Sequence, residues 1–178
     1  RTLGKSIFFS ANAQGAGPHF LGLKFAKTAG LEFSYVPFQA GNMAATALMA
    51  GDLPAVVMGM ADLVPLAKAG KIRLLANSGA ARSQFAPDVP TFKELGHADL
   101  ELVESLILLA PKGLEPRLVR EYEERLATAV RDPQVVAALG KSAFTTMFLN
   151  GEDTKAKALS DLKKYEPEVR ASGVSFDS

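Results

Sequence analysis

One short segment holds the residues best suited to chemistry, the Ser-Ala-Asn-Ala-Gln-Gly-Ala-Gly-Pro-His run at 10–19. It follows an apolar run at 6–9 and precedes an amphipathic run at 20–29, an order that predicts strand, loop and helix. Such a loop presents backbone N–H groups at the positive end of a helix dipole, where anions bind. No lysine follows the glycines, and Gly15-Ala16-Gly17 lacks the third glycine of a dinucleotide fingerprint. The segment therefore indicates a pocket for a small anion such as a carboxylate, with a plain tight turn as the alternative.

Residues for catalysis or metal binding are sparse. The two histidines, His19 and His97, stand alone without metal-ligand spacing. Cysteine is absent, which excludes disulfides, thiolate catalysis and sulfur-ligated metals. There is no GxSxG nucleophile elbow, and the acidic residues are spread singly along predicted helix faces. We therefore predict no catalytic residue, no metal and no cofactor, and expect His19, in a first helical turn, to orient the loop.

Composition narrows the class of protein further. Hydrophobic residues make up 48% of the 178 residues, and 20 basic against 19 acidic residues leave a net charge of +1. No basic stripe with interleaved aromatics appears, which argues against nucleic-acid binding. The longest uncharged apolar windows, 53–61 and 106–111, are shorter than the ~20 residues that span a bilayer. Lack of cysteine is compatible with an oxidising compartment such as a periplasm. No charged segment followed by an apolar one, the pattern of a signal peptide, opens the given sequence.

Strand and helix patterns alternate in the first half of the chain. Glycines at 30, 51 and 70 each stand just past a predicted helix, where a left-handed C-cap favours glycine. The predicted strands are 6–10, 32–36, 54–59 and 72–77, and the predicted helices are 18–29, 42–50 and 61–69. Successive βα units with short turns predict an α/β fold with a parallel or mixed sheet covered by helices.

The second half changes character. Thr91 to Glu94 has capping-box spacing and predicts a one-turn helix ended by Gly96. Further predicted elements are strands at 100–109 and 144–149 and helices at 115–131, 133–139 and 151–171, the last capped by Asp153 or Thr154. The break in composition near 104–116 is the best candidate for a lobe boundary.

Several segments, taken in order, resemble the tripartite tricarboxylate transporter substrate-binding proteins, also called the Bug family. Residues 82–96 resemble the family's "R…PDVPT…E.G" signature, and 68–76 resemble the "KAGKLRALA" that precedes it. Val36-Pro37-Phe38-Gln39 stands where the family usually has "VPYK". Further matches are 109–116 to "fAPaGtP", Asp132-Pro133 to a "DP" between helices, and 165–174 to "W..V…aGv". The ordered set covers nearly the whole chain.

The resemblance implies a type II periplasmic-binding-protein fold, in which two α/β lobes close on a ligand by a hinge motion. It assigns 1–103 to the second ligand-binding lobe and 104–178 to the crossover strand and C-terminal helices of the first lobe, with the N-terminal half of lobe one absent. It also implies a periplasmic receptor that delivers a small organic acid to the membrane subunits of a tripartite tricarboxylate transporter. The helices at 115–131 and 153–171 would then lack much of their sheet. This predicts a fragment of a longer protein, or an exposed apolar face open to self-association.

The opening loop resembles the family's "ySSGxGSxxH" segment but is less polar. Gly15 and His19 match, whereas alanines at 11, 13 and 16 replace hydroxyls and a glycine. Gln39 replaces a lysine, Met58 replaces a polar or acidic residue, and Pro54 replaces an acid. The predicted ligand-binding residues are Asn12, Gln14, Gly15, Ala16, Gly17, Phe38, Gln39, Met58, Gly59 and Met60, with backbone N–H groups of 15–17 as the anion donors.

Because a buried unpaired polar group costs ~1–3 kcal/mol, this loop should disfavour an amine or hydroxyl on the ligand. We therefore expect an apolar or aromatic carboxylate that contacts Phe38, Met58 and Met60. The alternative is that the methionines belong to the core and specific binding has been lost. Two other functions compete: a regulatory effector module, for which a helix-turn-helix is missing, and a degenerate domain retained for protein contacts.

Overall fold

The computed structural model describes residues 6–173. Residues 1–5 and 174–178 lie outside the described part. They include the outer ends of the two predicted lobes, 1–103 and 104–178, and the last residue of the motif at 165–174. Two compact units are distinguished: one contains 6–104 and 168–173, and the other contains 105–167. No helix in the described part is long and apolar enough to cross a membrane.

The first unit is built on a parallel sheet of three strands in the order β2-β1-β3. In register, Phe9 of the central strand lies opposite Tyr35 on one side and Ala55 on the other. Its elements are β1 (Ile7–Ala11), α1 (Gly17–Ala29), β2 (Phe33–Tyr35), α2 (Gly41–Ala50), β3 (Ala55–Val57), α3 (Met60–Lys68) and a 3₁₀ turn (Ala98–Leu100). The three predicted βα units are therefore confirmed, with bounds shifted by at most a few residues.

The core of this unit depends on a close approach of α1 to β1. Phe9 is fully buried, and a Cβ placed on Gly22 would lie 2.3 Å from Cε2 of its ring. Only glycine leaves room for the ring at this position. Gly30 and Gly51, with φ of 64° and 84°, end α1 and α2 in the left-handed conformation that their sequence positions predicted.

Three predicted strands are wrong within the described residues. Residues 72–77 contribute only an isolated bridge from Asn77 to Thr91, and neither 100–109 nor 144–149 forms a strand. A strand needs a neighbour to complete its hydrogen bonds, and these apolar runs have no ladder partner in the described part. Leu106 and Leu109 are accordingly 81% and 85% exposed. With every observed ladder parallel, the mixed sheet expected from the pattern is here a parallel one.

Two predictions about helix ends are also corrected. Thr91 and Glu94 do form the reciprocal capping bonds, at 2.7 and 3.0 Å, but they close a turn rather than a helix. Gly96, with φ of 90°, reverses the chain before a helical turn can continue. At the last helix the cap is Asn150, whose Oδ1 accepts from the Asp153 N–H at 2.8 Å. Because the helix already begins at residue 151, Asp153 and Thr154 lie inside it.

The second unit is helical. It contains α4 (Pro116–Ala129), α5 (Pro133–Lys141) and most of α6 (Gly151–Ala171). Asp132 caps α5 by accepting from the Gln134 N–H at 2.7 Å. No residue of these helices is buried, and Leu159 and Leu162 are 57% and 64% exposed. The expected apolar exposure on these helices is therefore present in the described residues.

Candidate functional site

The carboxyl ends of the three parallel strands meet at one edge of the sheet. β1 is central, the chain passes from it to β2 on one side, and α2 then carries the chain back across to β3 on the other. In such sheets the crevice outside the carboxyl ends, at the point where the strand order reverses, is where ligands bind. That point lies here between β1 and β3, and it is bordered by the loops 12–16 and 58–59.

Asn12 joins these two loops. Its Oδ1 accepts a hydrogen bond from the Gly59 N–H at 3.2 Å, and its Nδ2 donates to Oδ2 of Asp62 at 2.8 Å. The β2–α2 loop reaches the same place, because a Cβ on Gly41 would lie 2.9 Å from Cε of Met58 and 3.4 Å from Nδ2 of Asn12. The predicted site residues Asn12, Met58 and Gly59 are thus brought together, and Asn12 acts as a strut within the protein.

The backbone donors of the opening loop are fewer than the sequence predicted. The Gly15 N–H donates to Nδ1 of His19 at 3.0 Å, and the Ala16 N–H points to the Ala13 carbonyl at 3.3 Å. Pro18 has no N–H. Within residues 6–173, Gly17 at the first position of α1 is the member of the glycine pair whose N–H has no protein acceptor. Of the three N–H groups that the sequence predicted as anion donors, Gly17 is therefore the one left open for a ligand in the described residues.

His19 is the internal partner of the loop, as its position in the first helical turn predicted. It is 3% exposed, and its ring lies 4.0 Å from the ring of Tyr35 between centroids. Burial lowers the pKa of His19 below the usual histidine range, because a charged imidazole would lose its hydration. A neutral imidazole is required in any case, since Nδ1 must carry a lone pair to accept the Gly15 N–H.

Two acidic residues at this edge were missed by the sequence analysis. Oε1 of Glu104 would lie 3.2 Å from a Cβ on Gly17, which places this carboxyl next to the first residue of α1. Loss of solvation at this carboxyl, followed by the negative charge of Asp62, raises the pKa of Glu104. Asp62 lies within the predicted helix at 61–69. Glu104 lies within the predicted strand at 100–109, which does not form.

The remaining predicted site residues differ in how exposed they are. Phe38, Met58 and Met60 are half-buried, as residues that line a crevice would be, whereas Gln14 and Gln39 are exposed. No hydrogen bond in the described part connects Gln14 or Gln39 to the Asn12 strut. Nor is there a cluster of three potential metal-ligating His, Asp or Glu side chains in residues 6–173.

The family model of the tripartite tricarboxylate transporter family receptor, TctC, matches residues 4–174 of this chain. The chain belongs to this family. TctC proteins are solute-binding receptors, which is a binding class and not an enzyme class.

Relatives and solved structures agree with this assignment. The chain is 25% identical over 170 residues to BugT of Bordetella pertussis (96% of this chain, 52% of BugT). It is 29% identical over 155 residues to a UPF0065 protein of Cupriavidus necator (85% of this chain, 46% of that protein). The fold matches a Rhodopseudomonas palustris protein solved with adipate, with a TM-score of 0.85, 20% identity and coverage of 96% and 57% of the two chains. It also matches MatC of Rhodopseudomonas palustris solved with malate, with a TM-score of 0.69, 19% identity and coverage of 91% and 56% of the two chains.

The TctC chain described here spans about half the length of the relatives that it matches. Its α/β fold, a small parallel sheet flanked by helices, is the one found in the periplasmic solute-binding proteins of the family. The resemblance that the sequence motifs indicated is therefore confirmed.

Proposed function

We propose that this chain forms the second lobe of a periplasmic receptor for a small organic carboxylate, together with the returning part of the first lobe. The observation that carries the proposal is the Gly17 N–H at the start of α1, which has no protein acceptor within residues 6–173 and lies near the Asn12 strut between the loops after β1 and β3. Such an N–H at a helix start suits a carboxylate oxygen. Family membership supplies the class of function.

The ligand's carbon skeleton would contact Phe38, Met58 and Met60. These half-buried side chains offer apolar surface and no strong hydrogen-bond donor or acceptor. Adipate, found with one structural neighbour, has an apolar chain between its carboxylates, and malate, found with another, has a hydroxyl. Loss of polar side chains from this loop favours ligands of the first kind, which include aromatic acids.

Calorimetric titration of the chain with adipate, benzoate and malate tests this proposal. We expect adipate or benzoate to bind more tightly than malate. Met58→Glu should abolish the preferred binding, because it adds a negative charge at the crevice, whereas Met147→Glu, at a 61% exposed methionine of the other unit, should have no effect. A preference for malate would refute the apolar specificity. Lack of binding to any of the three, by the chain and by a longer polypeptide that contains it, would refute the receptor function.

In this proposal 1–103 and 104–178 are parts of different lobes, and closure of the lobes presents the loaded receptor to the membrane subunits of a tripartite tricarboxylate transporter. A ligand that contacts both lobes shifts the equilibrium towards the closed form by its differential affinity. Uptake of labelled ligand by cells, with and without the receptor, tests the delivery step. Uptake that does not depend on the receptor would count against it.

A second candidate function is protein contact, and the exposed leucines of α6 favour it. Leu159 and Leu162 lie three residues apart on one helix face and are both more than half exposed. We propose that this face can pair with the same face of a second copy. Sedimentation equilibrium should then show a dimer that Leu159→Lys with Leu162→Lys disrupts, whereas Lys155→Ala with Lys163→Ala does not. A monomer at all concentrations would refute it.

A further inference from the structure

His19 packs among aromatic rings behind the loop that joins β1 to α1. Its ring packs against Phe9 from β1, Tyr35 from β2 and Phe20 from α1, at centroid distances of 6.1, 4.0 and 5.5 Å. The side chain thus has little freedom to rotate away from the loop. Its Nδ1 accepts the Gly15 N–H at 3.0 Å.

This hydrogen bond fixes the proton on the imidazole. An N–H that donates to Nδ1 requires a lone pair there, so the ring proton resides on Nε2, and a doubly protonated ring cannot accept at all. Among the aromatic rings that pack against it in residues 6–173, Tyr35 is the titratable one, and burial keeps its phenol neutral by raising its pKa. The rings from β1 and α1 carry no charge, and burial is the cause that lowers the pKa of His19.

The hydrogen bond also determines which backbone group is offered to a ligand. Gly15 has a φ of 78°, a conformation that other residues rarely adopt, and its N–H is held inward by His19. With that peptide fixed, the loop continues into α1, where the N–H of the first residue, Gly17, has no acceptor among the described residues. Release of Gly15 would let the loop move away from this geometry.

We propose that His19 is the positioning residue of the carboxylate site: its neutral imidazole, with the proton on Nε2, holds the Gly15 peptide so that the Gly17 N–H faces the ligand. This inference rests on the proposed carboxylate-binding function. The proposal predicts the direction in which carboxylate affinity changes with pH. A histidine that attracted the ligand by charge would strengthen carboxylate binding on acidification, whereas a histidine that must accept a hydrogen bond weakens it.

Nitrogen NMR on the ligand-free chain tests the positioning role directly. The ring shifts should place the His19 proton on Nε2. The protection factor of the Gly15 amide against hydrogen exchange should fall about tenfold when His19 becomes protonated, since a net hydrogen bond contributes about that factor. His19→Phe, which keeps a ring but has no acceptor, should show the lower protection at every pH. His19→Asn, which restores an acceptor that does not titrate, should recover protection without pH dependence, and His97→Phe should behave as the parent chain.

Adipate titration over the same pH range completes the test. Affinity should fall in parallel with Gly15 protection in the parent chain, and it should follow no such pH profile in His19→Asn. A proton on Nδ1, or Gly15 protection unchanged in His19→Phe, would overturn the positioning role whatever adipate does. If Gly15 protection follows His19 but neither the chain nor a longer polypeptide binds a carboxylate, the receptor function fails and the anchoring of Gly15 stands.

Discussion

Asn12 and Asp62 are linked by a 2.8 Å hydrogen bond across fifty residues of sequence. The amide of Asn12 uses its other end on the Gly59 N–H, so one side chain spans the loops that follow β1 and β3. The loops that border the crevice are therefore held in mutual register by the protein itself. Asn12, which the sequence predicted as a ligand contact, thus also holds two loops of the protein together.

Asn12→Ala should destabilise the first unit by about 1–2 kcal/mol, because it leaves the Gly59 N–H and the Asp62 carboxylate without their partner. Urea denaturation measures this change. Asn42→Ala, at an exposed asparagine in the first turn of α2, is the matched control and should change the free energy of unfolding by less than about 0.5 kcal/mol. Equal effects of the two substitutions would show that the strut contributes nothing.

Gly22→Ala should be more damaging, because the new methyl group would overlap the ring of Phe9. We expect a loss of about 1–3 kcal/mol in the free energy of unfolding, the usual range for overpacking a core. Phe9→Leu in the same chain should relieve part of the overlap, so the double variant should be more stable than the sum of the single effects. Strict additivity in thermal or urea unfolding would contradict the contact.

The first three βα units could be predicted because their signals are local. Alternating apolar runs, short loops and glycine caps at Gly30 and Gly51 fix each element from within its own sequence. The later strands could not be predicted in the same way. The runs around Leu106 and Phe144 have the composition of strands, but strand formation depends on a partner that a single apolar run does not encode.

The positions of some predicted site residues could be inferred from the sequence, but the nearby charges could not. Asn12, Met58 and Gly59 lie close together because parallel strands bring their carboxyl ends to one edge. Asp62 was missed because periodicity assigns an acidic residue on an amphipathic helix to solvent, and Glu104 was missed because it lay within a predicted strand. Only the tertiary structure shows that both carboxyls lie at this edge.

Glu104→Gln should raise the affinity for adipate, because it removes a negative charge next to Gly17. Screening by the solvent limits the gain to about threefold to tenfold at low ionic strength, and the gain should shrink at 0.5 M salt. Calorimetric titration at both salt concentrations measures it. Glu32→Gln, at the amino end of β2, is the control and should leave the affinity unchanged. A lower affinity in Glu104→Gln would mean that the carboxyl itself binds the ligand.

The buried imidazole of His19 predicts how stability depends on pH. Burial lowers its pKa in the folded chain, so the unfolded chain, with an ordinary histidine pKa of about 6.5, takes up a proton more readily. The stabilisation is therefore fully present above about pH 6.5 and is lost as the pH falls through the lower, folded value. Over that window the free energy of unfolding should decline by at most about 1.4 kcal/mol per pH unit for this one proton.

Urea unfolding at intervals between pH 7.5 and pH 5 measures the decline. His19→Phe should be less stable at pH 7.5, because Gly15 loses its acceptor, yet its stability should change less over the same interval. His97→Phe removes the other histidine, whose ring contacts Phe25, and should retain the decline. The carboxylate of Glu168, whose pKa the hydrogen bond from Lys24 lowers, titrates at more acid pH and affects stability there. Glu104, whose pKa burial raises, changes stability in the opposite direction, so it cannot produce the decline. If the free energy of unfolding still declines in His19→Phe but not in His97→Phe, the decline comes from His97. That result would remove the basis for a neutral His19.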